Sequence, residues 1–421
     1  SVGEGPGDRP ADRPAVTGPP DRLAADVAVV GGGPAGSLVA AALARSGRRV
    51  VLLERSPAYR WRACGVFASP AAVAELRRAG LAGPVVAGLV RPIPSMRVET
   101  PAGNAFRLTY GDDGSLAASA VGFDRPALDP ALLDLARRAG VDVRTGTRVA
   151  AVGPGRVAAH QASGGAPVAL GTAVVVGADG IRSAVARAMG VARPARIGRR
   201  VGLTFHVADP SPDEPRDARM IVFRGGYVGL APVPGGRVNV GIVLDGTWTA
   251  RLRTRGADGV VDEVLRTVPP AADDPVDWAA AERCDEIAGA APLGHRATRL
   301  AGSGWLLAGD AAGFLDPFTG EGLHRALVSA RLAAAAIDRH LDGDPGGLPG
   351  YERAMRARFR SKDVLSLVVQ AMLGRPALFE LAARRLAARP AVRETMGLVM
   401  GDLVPASRAL DPRYVAALLR P

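Results

Sequence analysis

The chain has 421 residues, 48% of them hydrophobic, 4% aromatic and only two of them cysteine, and its formal net charge is +12 at pH 7. That length suits two or three domains with a large core, and Cys64 and Cys284 stand too far apart to form a disulfide framework. The positive charge is almost all arginine spread along the chain; with so few aromatics, no helix-turn-helix and no zinc spacing, a nucleic-acid partner is excluded, whereas an acidic partner such as a carrier protein is compatible with it.

In chain order, residues 1–23 are rich in Pro, Gly, Asp and Arg and read as a disordered arm. No charged-then-apolar leader follows, and no apolar run reaches the roughly eighteen residues of a transmembrane segment; the expected location is the cytoplasm. From Asp26 to Arg55 an apolar strand ends in Gly31, Gly33 and Gly36, with Pro34 and Ala35 between them. An alanine-rich helix then runs to about Gly47, and a second strand, Arg49 to Leu53, delivers Glu54 and Arg55. This is the G-x-G-x-x-G arrangement. The first glycine makes the tight turn, the second lets the backbone approach a pyrophosphate, and the third packs helix on strand. A carboxylate at Glu54 suits ribose hydroxyls and disfavours a 2′-phosphate, so the site takes FAD or NAD rather than NADP.

Further along, a helix is predicted over Pro126–Ala139 and short alternating strands over Val141–Gly177, leading into VVVGADGIRSAVAR with Asp179 and Gly180. The runs VGLTFHV, YVGLAPV and RVNVGIVL, together with Pro94–Tyr110, predict one antiparallel sheet. The segment GWLLAGDAAGFLDPFTGEGLHRAL places Gly309 and Asp310 at a strand end. Gly320 and Gly322 then open a helix over Leu323–His340. A carboxylate at that strand end accepts hydrogen bonds from a polyol, and only FAD carries a ribitol. The helix N-terminus suits the anion of a reduced flavin. From Asp344 onward the pattern is helical, broken at Pro376, Pro390 and Pro405.

On these three motifs (GGGPAG, ADGIRS and LAGDAA), the chain resembles the FAD-dependent oxidoreductases of the para-hydroxybenzoate hydroxylase fold. It is most similar to their geranylgeranyl reductase branch. The resemblance implies that Asp179 and Gly180 sit near the pyrophosphate, that Asp310 holds the ribitol, and that Arg62 and Arg125 approach the cofactor phosphates. The TGEGL sequence and the run RACGVFASP around Cys64 resemble the reductases rather than the aromatic hydroxylases. A halogenase is disfavoured, because there is no W-x-W-x-I motif and the one lysine, Lys362, lies in the C-terminal stretch. One departure concerns the Y-x-W-x-F-P motif of prenyl reductases. Here GGYVGLAPVPGG keeps Tyr227 and Pro232 but has Gly229 and Ala231 for the two large rings, which turns the expectation from a long isoprenoid toward a polycyclic or carrier-bound secondary metabolite.

The expected fold class is α/β, an α+β two-domain flavoprotein. A Rossmann-like FAD domain with a central parallel sheet is assembled from residues 24–90, 121–191 and 288–343. An antiparallel-sheet substrate domain comes from 91–120 and 192–287, and a helical C-terminal region from 344–421. Cys64, His324 and Tyr227 are the catalytic candidates: a thiol in the run expected beside the ring, an imidazole at a helix start, and a phenol lining the pocket. The expected activity is that of an oxidoreductase using FAD, with NAD(P)H as a transient electron donor, in which reduced flavin passes hydride to a double bond of a hydrophobic small molecule. The alternatives are a monooxygenase acting through a C4a-hydroperoxide and a non-catalytic flavin- or carrier-protein-binding module.

Overall fold

The computed structural model describes residues 24–59, 61–63, 65–110, 119–162, 164, 168–195, 199–271, 274 and 276–420; the predicted arm at 1–23 and the candidate Cys64 lie outside them. The strand Ala25–Val30 sits inside a sheet ordered Ala301–Gly302, Trp305–Leu307, Val168–Gly177, Ala25–Val30, Val50–Leu53 and Asp142–Arg144. Every neighbouring pair is parallel except the first. Val27 and Val29 face one core while Ala28 and Val30 face another, so both faces of the strand are buried. That is why the run is continuously apolar rather than alternating. The hairpin Thr147–Gly153 with Arg156–Gln161 extends the first half of Val168–Gly177 antiparallel. Helices Pro34–Arg45, Arg125–Arg138 and Gly322–Leu341 cover one face, joined by the first half of Gly347–Leu373 through Leu348, Tyr351, Met355 and Phe359.

The second sheet has seven strands, ordered Ala288–Ala290, Val201–Ala208, Arg237–Leu244, Gly226–Val233, Ala218–Phe223, Ser95–Glu99 and Ala105–Thr109. It departs from the predicted antiparallel sheet at one pair, since Ala218–Phe223 and Ser95–Glu99 run parallel. Those strands lie some 120 residues apart, and no hairpin turn constrains their direction. Along Gly226–Val233 the side chains alternate: Val228 and Leu230 enter the core behind the sheet, while Tyr227 and Ala231 face the other way. A helix that the strand-like pattern did not announce, Thr249–Leu265, covers the back through Val260, Val261, Val264 and Leu265. The front is covered by the C-terminal helices Pro376–Ala388, Pro390–Met400 and Pro412–Leu419. Each of these begins with proline in its first turn, where the missing N–H costs nothing. The predicted break at Pro405 falls just before a short 3₁₀ turn, Ala406–Arg408.

Candidate active site

At the end of strand Ala25–Val30 the chain turns through Gly31, whose φ of 105° puts a Cβ only 2.4 Å from the Ala178 carbonyl oxygen. At Gly36 a Cβ would stand 1.9 Å from the carbonyl of Gly31 itself, so helix and turn touch backbone to backbone. Gly33 is different. It is the N-cap of helix Pro34–Arg45, caps nothing with a side chain, and has no atom within 4 Å of where its Cβ would be. The result is open space before the helix N-terminus, where an anion is favoured. Glu54 closes one end. Its carboxylate accepts the Gly32 N–H at 2.8 Å, the Ser56 N–H at 2.9 Å and Arg62 Nη2 at 3.1 Å. Burial pushes that carboxyl up, but the two amides and Arg62 outweigh it and hold it below its ordinary value. Arg62 therefore stands at the Glu54 end, while Arg55 is exposed.

The other two motifs converge on this turn. Asp179 lies against Gly31, its Cα 2.9 Å from that glycine's Cβ position. Its Oδ2 accepts the Ala184 N–H at 2.6 Å, and its Oδ1 is buried with no partner among the described residues. Gly180 follows in the left-handed conformation. Gly309 packs against Ala35, its Cβ position 2.9 Å from the Ala35 methyl, and its N–H donates to Ser329 Oγ at 2.9 Å. Burial pushes the Asp310 carboxyl up to about 6, although the charges of Arg125 and Arg325 pull the other way. Arg125 reaches Asp129 with two bonds of 2.9 and 3.0 Å. The motif reading missed His295, whose Nε2 sits 3.0 Å from both the Asp310 and Ala311 carbonyl oxygens. With both partners acceptors, Nε2 carries the proton and steadies the segment that presents Asp310. No local sequence signal marks it, because its partners come from a different strand connection.

Beyond Asp310 the chain makes a 3₁₀ turn, Pro317–Thr319, and Gly320 and Glu321 lead into helix Gly322–Leu341, whose first turn has no side-chain cap. Asp316 organises the turn by accepting the Phe318 N–H at 3.0 Å, the Tyr227 hydroxyl at 2.6 Å and Arg200 Nη1 at 2.8 Å. Burial and the Asp316 charge push the Tyr227 phenol well above its ordinary value. The ring of Tyr227 meets Phe318 edge-on at 5.1 Å. Phe67, three residues past Cys64 in sequence, lies against Gly320. His324 points elsewhere. It is 2% exposed, its Nδ1 is 3.0 Å from Asp402 Oδ2 but off the hydrogen-bond line, and Asp402 also binds Lys362 Nζ at 2.9 Å. The structure thus keeps Tyr227 and His324 apart, on Asp316 and Asp402 respectively.

Residues 24–362 match the family described as FAD binding domain. The chain belongs to that family. It is an FAD-dependent oxidoreductase, and its cofactor is FAD. The menaquinone reductase of Mycolicibacterium smegmatis is 32% identical over 347 residues, 78% of this chain and 79% of the relative. The digeranylgeranylglycerophospholipid reductase of Methanoculleus marisnigri is 28% identical, over 79% of this chain and 82% of the relative. Among solved structures, the flavin-dependent halogenase CmlS superposes with a TM-score of 0.71 at 24% identity, over 94% of this chain and 72% of the other, a likeness of fold. The residues are compatible with FAD: a Cβ at Gly33 would meet nothing within 4 Å, leaving backbone open before a helix N-terminus, and the buried Asp179 Oδ1 has no hydrogen-bond partner among the described residues. The one lysine is engaged with Asp402 and the Val399 carbonyl in the C-terminal helices.

Proposed function

We propose that this oxidoreductase is a reductase that saturates a polarised double bond in a hydrophobic, ring-bearing small molecule of secondary metabolism, with NAD(P)H as the electron donor. Bound FAD supplies the hydride chemistry; the protein supplies binding, orientation and exclusion of water. In this reading the backbone around Gly31, Gly33 and Gly36 holds the pyrophosphate, Glu54 the ribose and Asp310 the ribitol, and the uncapped first turn of Gly322–Leu341 faces the ring. The FAD unit is taken as 24–90, 121–191 and 288–343, the substrate unit as 91–120 and 192–287, and the helices of 344–421 as its cover.

The observation that carries the substrate class is a methionine-rich junction next to the Pro317–Gly320 turn. Five of the chain's seven methionines (Met96, Met220, Met372, Met396 and Met400) gather there with Tyr227, Phe314 and Phe318, between the front of the second sheet and the C-terminal helices. Methionine adapts to irregular apolar shapes. At Gly229 a Cβ would already touch Met220 Cε at 3.6 Å, so the flexible methionine occupies the place of the missing side chain. A methionine that can swing aside supports a bulky ring system over a thin chain. The relatives named as reductases of menaquinone and of a geranylgeranyl lipid support reduction of a hydrophobic substrate.

The test is anaerobic. The FAD-loaded protein, reduced with NADH or NADPH, is mixed separately with a polycyclic quinone or polyketide and with a prenyl diphosphate. Reoxidation by the ring compound, with a product heavier by two hydrogens, is expected. A product that forms only in air and gains one oxygen atom replaces the reading with hydroxylation. Turnover of the prenyl diphosphate alone overturns the ring-bearing class.

A further inference from the structure

Large apolar side chains exposed singly need no explanation, but here they are concentrated. Among the described residues seven are exposed, and six of them lie beyond Asp363: Val364, Val368, Leu378, Leu403, Val415 and Leu419, each between 39% and 54% exposed. On helix Gly347–Leu373, Arg360, Val364 and Val368 follow one another at four-residue spacing, and exposed Ala371 continues the same face toward Arg375 just past the helix end. Helix Pro412–Leu419 buries none of its residues and turns Val415 and Leu419 outward at the same spacing, flanked by Arg413 and Arg420. These elements pack on one another through Leu365, Val399, Ala406 and Tyr414.

Charge accompanies the apolar surface. Residues 344–421 hold 13 Arg and Lys against seven Asp and Glu. Arg360, Arg375 and Arg413 are exposed and enter no ion pair among the described residues. Helices Gly347–Leu373 and Pro376–Ala388, meeting at 114°, are together as apolar as a broken membrane span, though no single helix among the described residues is long and apolar enough to cross one. Crossing is also barred by packing, because Leu348, Tyr351, Met355 and Phe359 of the first helix sit in the core of the first, mostly parallel sheet. An apolar stripe with arginines at both ends, fixed to a folded body, suits a position in the plane of a lipid interface, with aliphatic side chains in the acyl boundary and guanidinium groups at the headgroups.

We propose that this C-terminal helical face docks the protein on an anionic lipid bilayer, through the Val364–Val368 stripe, Leu378, Val415 and Leu419. The proposal stands on the surface itself and is independent of the substrate.

Flotation of the full-length, FAD-loaded protein with vesicles of phosphatidylcholine alone, and of phosphatidylcholine with phosphatidylglycerol, tests it. Binding to the anionic vesicles is expected, weakening as salt rises. Val364→Glu with Val368→Glu, and separately Leu419→Glu, should each weaken it by at least about tenfold, because a carboxylate in the interface is costly. The flavin spectrum and melting temperature should not change. Arg360→Gln with Arg375→Gln should remove the preference for anionic vesicles. Absence of binding to either vesicle, or binding indifferent to the glutamate substitutions, overturns the proposal. A concentration-dependent dimer that those substitutions dissolve, without vesicle binding, overturns it in favour of a second copy of the chain.

Discussion

Gly33 and Gly36 are three residues apart and do opposite jobs. A side chain at Gly36 would have to occupy the space of the Gly31 carbonyl, 1.9 Å away, whereas one at Gly33 would meet nothing. Gly36→Val therefore breaks the packing of strand on helix, an overpacking cost of at least about 1–3 kcal/mol. Its signature is a lowered melting temperature together with loss of FAD. Gly33→Val should melt like the parent, because the φ of −75° at this position suits any residue. It should still lose FAD affinity by at least about tenfold, or ~1.4 kcal/mol, because the isopropyl group fills the open space before the helix. An FAD titration beside a thermal melt separates the two. Asp310 gives a second prediction at this scale. Its carboxyl rises to about 6 in the cofactor-free protein, and ribitol hydroxyls would favour the ionised form. FAD affinity should then be flat above about pH 6 and fall below it as the proton competes. Asp310→Asn should bind more weakly and flatten that profile. The sign for stability is opposite: a raised carboxylate makes the cofactor-free fold less stable as pH climbs through about 4 to 6.

Among the elements, helix Gly322–Leu341 is held at its first turn by residues remote in sequence. Lys362 donates to Asp402 and to the Val399 carbonyl, and Asp402 faces His324; Lys362 and His324 are buried, and the Asp402 side chain is 6% exposed. Burial pushes the Asp402 carboxyl up, but Lys362 and His324 outweigh it and hold it well below the usual carboxylate range. Its stabilising contribution is present above the ordinary carboxylate value and lost as pH falls toward the depressed one. Asp402→Asn, which tolerates the φ of 58° at this position, leaves a buried lysine without its counter-charge and should cost about 3–5 kcal/mol, whereas adding Lys362→Met should recover most of that loss. Urea unfolding of the single and double variants measures both. None of this network was legible beforehand: His324 read as a helix-start histidine and Lys362 as a residue of the tail. Helix Thr249–Leu265 escaped for a local reason. Its apolar residues cluster in its second half, and Gly256 interrupts it with a non-helical φ of 69°. The boundaries of Arg125–Arg138 and Gly322–Leu341 were readable to within one residue, because each combines an apolar stripe with a proline or glycine at its start; for Pro34–Arg45 only the end was, to within two, since the helix begins inside the glycine motif, before Gly36.

At the scale of the molecule, the identity of the cofactor was legible and that of the substrate was not, and assembly explains the difference. The three motifs that read as FAD contacts are backbone turns whose chemistry sits inside short segments, and packing brings them together at Ala35 and Gly31. The proposed substrate side draws on single residues: Tyr227 from one sheet, Asp316 from a loop, and methionines from both sheet and C-terminal helices. The same long-range assembly governs the helices of the last quarter of the chain, which look dispensable in sequence. Helix Gly347–Leu373 begins a few residues after helix Gly322–Leu341 ends, yet Leu348, Tyr351, Met355 and Phe359 lie in the core of the first, mostly parallel sheet. The Tyr351 hydroxyl donates to the Leu307 carbonyl at 2.6 Å, in the strand that delivers Gly309 and Asp310. Uncovering large core side chains costs about 2–5 kcal/mol each, against a total stability of about 5–15 kcal/mol. A chain ending at Leu341 should therefore fail to fold and carry no flavin, even though every FAD motif is intact. Phe359→Ala should be the graded version, losing about 3–5 kcal/mol while remaining yellow. Recovery of a soluble, flavin-loaded protein from the shortened chain would show that the FAD unit folds without that helix, and that the core drawn here is not what holds the cofactor site in place.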